Sequence, residues 1–174
     1  FGGALCLWFT GNVLKLNAEI AYAGSMADRK AVPISERFFE GGPNSVRGFQ
    51  RLTLGPTRTC AGGSDPLALT GDCPIGGVES LVFNAELEFP ILDAIGVRGV
   101  VFADAGNAFD AGQPYTLNLD VLDPSAQDVL RTALGFGVRW RSPIGPLRFE
   151  WGYPLARRSG EDSYVFEFSI GNSF

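Results

Sequence analysis

The sequence predicts an all-β fold, an antiparallel up-and-down β-barrel that crosses a membrane with its strands. Segments of about ten residues alternate apolar and polar side chains with a period of two, which is the pattern of a β-strand. Short turns and long loops follow one another along the chain, an asymmetry typical of outer-membrane barrels. Large aromatic residues occupy one face of these segments, and charges with glycine occupy the other. The apolar face is therefore expected to contact lipid.

Seven strands are predicted in chain order, at residues 3–10, 13–23, 78–90, 97–105, 131–141, 146–155 and 164–174. Strand 13–23 shows the pattern most clearly, with Leu14, Leu16 and Ile20 on one face and Lys15 and Glu19 on the other. A soluble β-sandwich has the same alternation, so the placement of the aromatic residues favours the barrel. Bacterial single-chain barrels have an even number of strands. Either a strand near the start of the chain is missed, or the chain is a portion of a larger barrel.

The longest predicted connection is residues 24–77, and two further loops span residues 106–129 and 156–162. Connections much longer than about 15 residues are uncommon and usually functional. Within the first, residues Gly41, Gly42, Pro43, Asn44 and Ser45 predict a tight turn, because glycine and asparagine tolerate positive φ and proline fixes its own φ. Val46 follows this turn directly, and the next residue, Arg47, has no partner within the loop. We expect it to bind a carboxylate elsewhere in the chain.

Composition excludes several classes of function. The chain has 174 residues, no histidine and a formal net charge of -5. Without histidine, Ser-His-Asp catalysis is impossible and the commonest metal ligand is missing. The acidic balance disfavours nucleic-acid binding, and no run approaches the roughly 18 apolar residues that a membrane helix needs. We therefore expect no enzyme activity, no cofactor and no nucleic-acid partner.

The carboxylates of the predicted strands have alternative interpretations. A calcium site built from Asp104, Asn107 and Asp110 lacks the twelve-residue pattern that ends in a bidentate glutamate. A hydrolase active site that uses Glu86, Glu88 and Asp104 requires that two carboxylates lie in the same pocket at a defined separation. The simplest alternative is that these side chains are independently solvated charges on the polar face.

Two runs of the sequence resemble a known family. The run RFFEGGPNSVRGF at residues 37–49 and the alternating run YVFEFSIGNSF at residues 164–174 resemble the signatures of the outer-membrane protein insertase superfamily that includes BamA and TamA, the bacterial surface antigen family. The resemblance implies that residues 1–174 are the C-terminal part of a sixteen-stranded barrel in a bacterial outer membrane, with about seven or eight of its strands present. It also implies that the extracellular loop 24–77 folds into the barrel lumen and that N-terminal periplasmic domains are absent from this chain.

The resemblance assigns roles to individual residues. Its loop motif corresponds to Val46, Arg47, Gly48 and Phe49. The run AELEF is similar to the family strand whose glutamate, here Glu88, meets the loop arginine, and FADAG is similar to the strand whose aspartate, here Asp104, does so. An arginine fork binds carboxylates bidentately. Arg47, Glu88 and Asp104 are therefore predicted to anchor the loop inside the barrel.

The cysteines lead to a further expectation. Cys60 and Cys73 lie in a part of loop 24–77 that is rich in glycine, serine and aspartate. Two cysteines in an exposed loop favour a disulfide in an oxidising compartment, and members of the resembled family often carry such a pair in this loop. Zinc is disfavoured, because histidine is missing and four ligands are wanted. Cys6 is then expected to be a small buried hydrophobic residue.

The last strand is expected to be both the closing strand and the β-signal by which outer-membrane proteins are recognised for insertion. The residues assigned to it are Tyr164, Phe166, Phe168, Ile170, Gly171 and Phe174. Gly171 is included because glycine in a strand weakens pairing and permits bending.

The function that the resemblance implies is the assembly and insertion of β-barrel proteins into the outer membrane, as in a BamA-type insertase. A TamA-type or two-partner-secretion translocation pore stays open as an alternative, and so does a passive structural barrel. The implied partners are outer-membrane lipid, client β-barrel proteins, and accessory assembly lipoproteins bound through the absent periplasmic domains. A fragment with two open strand edges is also expected to self-associate.

Overall fold

The protein is described by a computed structural model, which covers residues 1–9, 11–24, 32–60, 71–110, 130–143, 145–155, 157–158 and 160–171; the side chains of residues 59, 60, 71 and 72 are outside the description. The predicted antiparallel all-β fold is confirmed. The strands are β1 Gly2–Phe9, β2 Asn12–Tyr22, β3 Thr57–Cys60, β4 Gly71–Pro74, β5 Glu79–Leu92, β6 Val97–Phe109, β7 Arg131–Ser142, β8 Gly145–Pro154 and β9 Val165–Ile170.

Seven of these strands form one sheet in the order β1-β2-β5-β6-β7-β8-β9, and β3 pairs with β4 in a separate hairpin. Every pairing is antiparallel. Apart from the hairpin inserted between β2 and β5, sequence neighbours are spatial neighbours, as in an up-and-down barrel. Over the described part of the chain the sheet is open, with β1 and β9 at its two edges.

The second predicted loop begins later than expected. Residues 106–129 were predicted to be a loop because Gly106 and the residues that follow it are rich in turn formers, but β6 continues to Phe109. Gly106, Asn107 and Ala108 stay in register with β5. The prediction was wrong here because backbone hydrogen bonds from a neighbouring strand outweigh the weak strand preference of these residues.

The connection 24–77 also contains structure that the sequence did not indicate. A 3-10 turn spans Ile34–Glu36, and β3 and β4 form a short hairpin. Two isolated β-bridges join Phe38 to Gly77 and Glu40 to Leu54. The first bridge joins the start of the segment 38–56 to the chain just before β5, and the second joins the two ends of the segment to each other. We call residues 38–56 the docked segment.

The two faces of the sheet differ in chemistry. One face, the apolar face, exposes large hydrophobic side chains such as Ile20, Phe136 and Phe166, which are 53%, 49% and 47% exposed. Aromatic rings follow one another across β7, β8 and β9 on this face, with ring centroids 5.6 Å apart for Phe136–Trp151 and 5.0 Å for Trp151–Phe166. An exposed apolar surface of this extent fits contact with lipid better than contact with water.

The opposite face carries the charges and is covered by the docked segment. We call it the charged face; its side chains include Lys15, Glu86, Asp104, Arg139 and Glu150. The buried hydrophobic cluster of the structure consists of Val46, Phe49, Leu54 and Ala133, so it lies between the docked segment and β7. This cluster is therefore on the charged side of the sheet. No helix among the described residues has the length and hydropathy to cross a membrane.

Candidate functional site

A tight turn in the docked segment places its motif, residues 46–49, against the charged face. Gly41 and Gly42 have φ values of 100° and 103°, and the amide of Gly42 donates to the carbonyl oxygen of Val46 at 3.3 Å. This reversal presents the next residues to the sheet. Val46 is 0% exposed and Arg47 is 4% exposed, so a complete guanidinium group is removed from water.

Asp104 on β6 is the principal partner of Arg47. The guanidinium donates from Nε to Oδ2 at 2.7 Å and from Nη2 to Oδ1 at 2.9 Å, and the backbone amide of Arg47 donates to Oδ2 at 3.0 Å. Asn84 on β5 donates to Oδ1 of Asp104 at 2.9 Å and to the carbonyl oxygen of Ser45 at 2.7 Å. The fork and the amide together hold both the side chain and the backbone of the docked segment.

Two further carboxylates and one ring complete the surroundings of Arg47. Its Nη1 lies 2.8 Å from Oε2 of Glu86 and 3.5 Å from Oε2 of Glu150, and its guanidinium carbon lies 3.7 Å from the ring centroid of Phe102. Burial by itself lowers the pKa of Arg47, but hydrogen bonds and Coulombic attraction from Asp104, Glu150 and Glu86 outweigh burial and raise this pKa above its usual value. Arg47 therefore stays charged at the pH of any biological compartment.

Arg47 was predicted to contact Glu88, and the structure corrects this prediction. Glu88 instead accepts from Lys15 at 2.6 Å, contacts Arg139, and lies 3.5 Å from Arg98. The register explains the difference: Asp104 faces Asn84 across β5 and β6, whereas Glu88 faces Val100, four residues further along. Four residues of strand correspond to roughly 13 Å, so Arg47 reaches Glu86 and Glu88 falls beyond it.

Sequence reasoning missed the cations that share these carboxylates. Arg139 on β7 donates from Nη2 to Glu86 at 2.6 Å and to Glu150 at 2.7 Å. Arg148 on β8 donates to Oε2 of Glu150 at 2.9 Å. The alternation of the strands already placed Arg139, Arg148 and Glu150 on the polar face, but only the pairing of β5 through β8 shows that they meet. These carboxylates are thus members of one ion network, which replaces the picture of independently solvated charges.

Close backbone contact seats the docked segment on the sheet. Gly48 has φ 99°, and a Cβ built on Gly152 would lie 2.4 Å from the amide nitrogen of Gly48. A Cβ built on Gly106 would lie 2.9 Å from Cγ2 of Val46. Glycine is required at these strand positions because any side chain would occupy the space of the docked segment.

A second layer of contacts covers Phe49 at the other end of the motif. Arg131 places its guanidinium carbon 4.9 Å from the ring centroid of Phe49 and forms an ion pair of 2.6 Å with Glu161. Gln50 donates to Asp162 at 2.7 Å. The short charged loop before β9 therefore holds the docked segment from the side.

In the calcium interpretation Asp104 is a metal ligand, but Arg47 already occupies its carboxylate. Both carboxylate oxygens of Asp104 already accept hydrogen bonds from Arg47, and Oδ1 of Asn107 accepts from the amide of Ala108 at 3.0 Å. Within the described ranges, no group of three or more potential metal ligands is brought together.

The cysteine expectations have mixed outcomes. Cys73 is disulfide-bonded, whereas the side chain of Cys60 lies outside the described part of the chain. Cys6 is a free, exposed thiol, so its assignment as a buried residue was wrong. The reason is that β1 is an edge strand, and all of its residues are exposed.

The closing strand presents its predicted apolar residues on one side. Tyr164, Phe166, Phe168 and Ile170 are 52%, 47%, 48% and 60% exposed. Gly171 has φ 93°, and its amide donates to the carbonyl oxygen of Pro146 at 2.9 Å, so pairing with β8 extends to this residue. Phe174 lies outside the described residues.

Comparisons with known proteins agree with this architecture. The Omp85 superfamily domain matches residues 7–174. BamA, an outer membrane protein assembly factor, is 32% identical in Neisseria meningitidis serogroup B over 92% of this chain and 37% identical in Nitratidesulfovibrio vulgaris over 82% of it. The chain spans 22% and 16% of the length of these two relatives.

A solved structure has the same fold. BamA from Haemophilus ducreyi lacking POTRA domains 1-3 matches with a TM-score of 0.71 and 25% sequence identity, and the match covers 96% of this chain and 32% of that one. The match of the family domain to nearly the whole chain and the identity to the Neisseria protein both carry the assignment. The chain belongs to the Omp85 superfamily, and its strands are part of a bacterial outer-membrane β-barrel.

Proposed function

We propose that this chain is the working barrel segment of a BamA-type insertase, which assembles β-barrel proteins into the outer membrane. The observation that carries the proposal is the burial of Arg47 among Asp104, Glu86 and Glu150. A buried cation surrounded by carboxylates from three strands is expensive to assemble. Its use here is to hold a long loop against the charged face, which a passive wall of a pore does not need.

The mechanism requires no covalent chemistry. An edge strand of an open sheet has unpaired amides and carbonyls that accept a further strand. In the proposed insertase a client strand adds to such an edge, so that its backbone groups are hydrogen-bonded before they enter the bilayer. The docked segment keeps the neighbouring strands in register while the edge is open. No nucleotide, metal or other cofactor and no catalytic residue has a place in this mechanism.

The partners follow from the mechanism. Lipid contacts the apolar face, and client β-barrel proteins supply the strands. Accessory assembly lipoproteins would bind to periplasmic domains outside this chain. The apolar row of β9, with Phe174 beyond it, is proposed to serve as the β-signal for insertion of the protein itself.

A disulfide between Cys60 and Cys73 is part of the proposal. The register pairs Cys60 with Gly71 and Cys73 with Arg58, so the two cysteines are diagonal neighbours on adjacent antiparallel strands. Such a bond would close the β3–β4 hairpin outside the docked segment. Peptide mapping without reducing agent would recover the two cysteines in one cross-linked peptide, and two separate peptides would contradict the pairing.

Depletion and complementation test the function. Removing the protein from its host should lower the amounts of many unrelated outer-membrane barrels, and wild-type protein should restore them. The Arg47→Ala variant should restore them poorly although it reaches the membrane. If only one secreted substrate is lost, the translocation pore of the two-partner type is the better assignment. Ion conductance without any effect on other barrels would favour a passive barrel.

A further inference from the structure

A cavity of about 280 Å³ lies on the charged face, away from Arg47. Its lining includes the apolar residues Trp140, Pro146 and Leu147. The charged residues of the lining are five cations and a single carboxylate: Lys15, Arg98, Arg139, Arg141, Arg148 and Glu88. The chain as a whole has a formal net charge of -5, so this concentration of positive charge runs against the overall balance. A cavity with this lining favours a negatively charged occupant.

The cavity lies at the end of the sheet where the short turns are. Arg98 donates from Nη2 to the carbonyl oxygen of Gly11 in the β1–β2 turn at 3.0 Å. The amide of Arg141 donates to the carbonyl oxygen of Gly96 in the β5–β6 turn at 3.1 Å. In outer-membrane barrels the short turns face the periplasm and the long loops face outward. The cavity is therefore reached from the periplasmic side, at the opposite end of the strands from the long loops.

The carboxylates nearby leave positive charge in excess. Glu88 contacts Lys15, Arg98 and Arg139, while Glu86 and Glu150 neutralise Arg139 and Arg148 from the side of Arg47. Among the described residues, these three carboxylates face the five cations of the lining. Arg141 is exposed and forms no ion pair with any residue in the described ranges. Its fork remains available, and guanidinium forks match the two oxygens of carboxylate or phosphate groups.

We propose that this cavity binds an oxyanion presented from the periplasm, with Arg141 and Arg98 as its main donors. The chemistry is shared by two sources, a free phosphate ion and the terminal carboxylate of a peptide. Both carry two or more acceptor oxygens in the geometry of an arginine fork, and the volume accommodates either group. Arg47 does not line the site, although Arg139 and Arg148 belong both to its lining and to the ion network of Arg47. The site does not depend on the proposed insertase function.

The experiment is a titration of the full-length protein in detergent micelles with inorganic phosphate at constant ionic strength, followed by calorimetry. A parallel titration uses a short peptide with a free terminal carboxylate and the same peptide with an amidated terminus. The test variant is Arg141→Gln, which breaks no ion pair in the described part of the chain. The matched control is Arg58→Gln, which removes the same charge from an exposed position on β3.

Saturable phosphate binding that weakens about tenfold in Arg141→Gln and is unchanged in Arg58→Gln supports a site for a free ion. Binding of the carboxylate peptide, with the same dependence on Arg141 and loss on amidation, supports a peptide as the source. If neither probe saturates, or if both variants weaken binding equally, the cavity is not an oxyanion site. The double variant Arg98→Gln/Arg141→Gln should abolish binding, and retained binding would also overturn the proposal.

Discussion

Gly48 and Gly152 cross with their backbones in contact. A Cβ on Gly152 would lie 2.4 Å from the amide nitrogen and 2.6 Å from the Cα of Gly48. The atoms in the way belong to the backbone, so no side-chain rotation relieves the overlap. Because neither glycine has a side chain, residues 46–49 can lie directly on the backbone of β8. At this distance Arg47 reaches Asp104.

The substitution Gly152→Ala should displace the docked segment. We expect a loss of about 1–3 kcal/mol in unfolding free energy, the range for overpacking in a filled site. Denaturant unfolding measures this loss, and protease sensitivity of residues 38–56 reports the displacement. The control is Gly3→Ala, another strand position, where a Cβ meets nothing within 4 Å. Equal effects of the two variants would show that the crossing does not position the segment.

Arg47→Ala, which removes the cation, should destabilise the barrel more than Arg47→Lys, which keeps a positive charge. Arg47→Ala leaves Asp104 and Glu86 buried near each other without their shared cation, and breaking a buried pair costs about 3–5 kcal/mol. Arg47→Lys keeps the charge but loses the fork to Asp104, so its loss should be smaller. Thermal unfolding of the membrane-extracted protein measures both. Wild-type stability of Arg47→Ala would contradict the anchor, with Arg58→Ala as the exposed control.

Glu86 and Glu88 should differ in their effect on the docked segment. Glu86→Gln weakens a contact to Arg47, and a hydrogen bond to a charged group contributes about 1.5–3 kcal/mol. Glu88→Gln weakens contacts to Lys15, Arg98 and Arg139 and leaves Arg47 with its partners. Protease protection of the docked segment should fall in the first variant and stay in the second. The reverse result would restore Glu88 as the anchor.

A charge introduced on the apolar face should lower the stability of the protein in a bilayer, because this face contacts lipid. Phe136→Arg places a cation on the exposed side of β7, and such a change costs about 2–4 kcal/mol near the bilayer midplane. Ile34→Arg is the control, since Ile34 is 59% exposed but lies in the 3-10 turn outside the sheet. Folding into liposomes, followed by denaturant titration, compares the two. Equal stability of both variants would place Phe136 in water.

The sequence by itself determined the strands and their two faces. Alternation in a strand is a local property, because successive side chains point to opposite faces whatever the neighbours are. The seven strands of the large sheet, the turn at Gly41 and the polar side of Arg139 and Glu150 were therefore readable without coordinates. The match of Arg47 to Asp104 came from the family resemblance of its motif, since nothing local connects residues so far apart in the chain.

Tertiary structure decided which of these residues meet. The partner of Arg47 on β5 depends on the register of β5 against β6, and a displacement of two residues exchanges Glu86 for Glu88 on the same face. The extension of β6 through Gly106 depends on hydrogen bonds from β5. The contact of Gly48 with Gly152 depends on where a loop lands on a strand more than 100 residues away. Such long-range geometry is set by the packing of several strands at once, so a pattern within any one of them does not contain it.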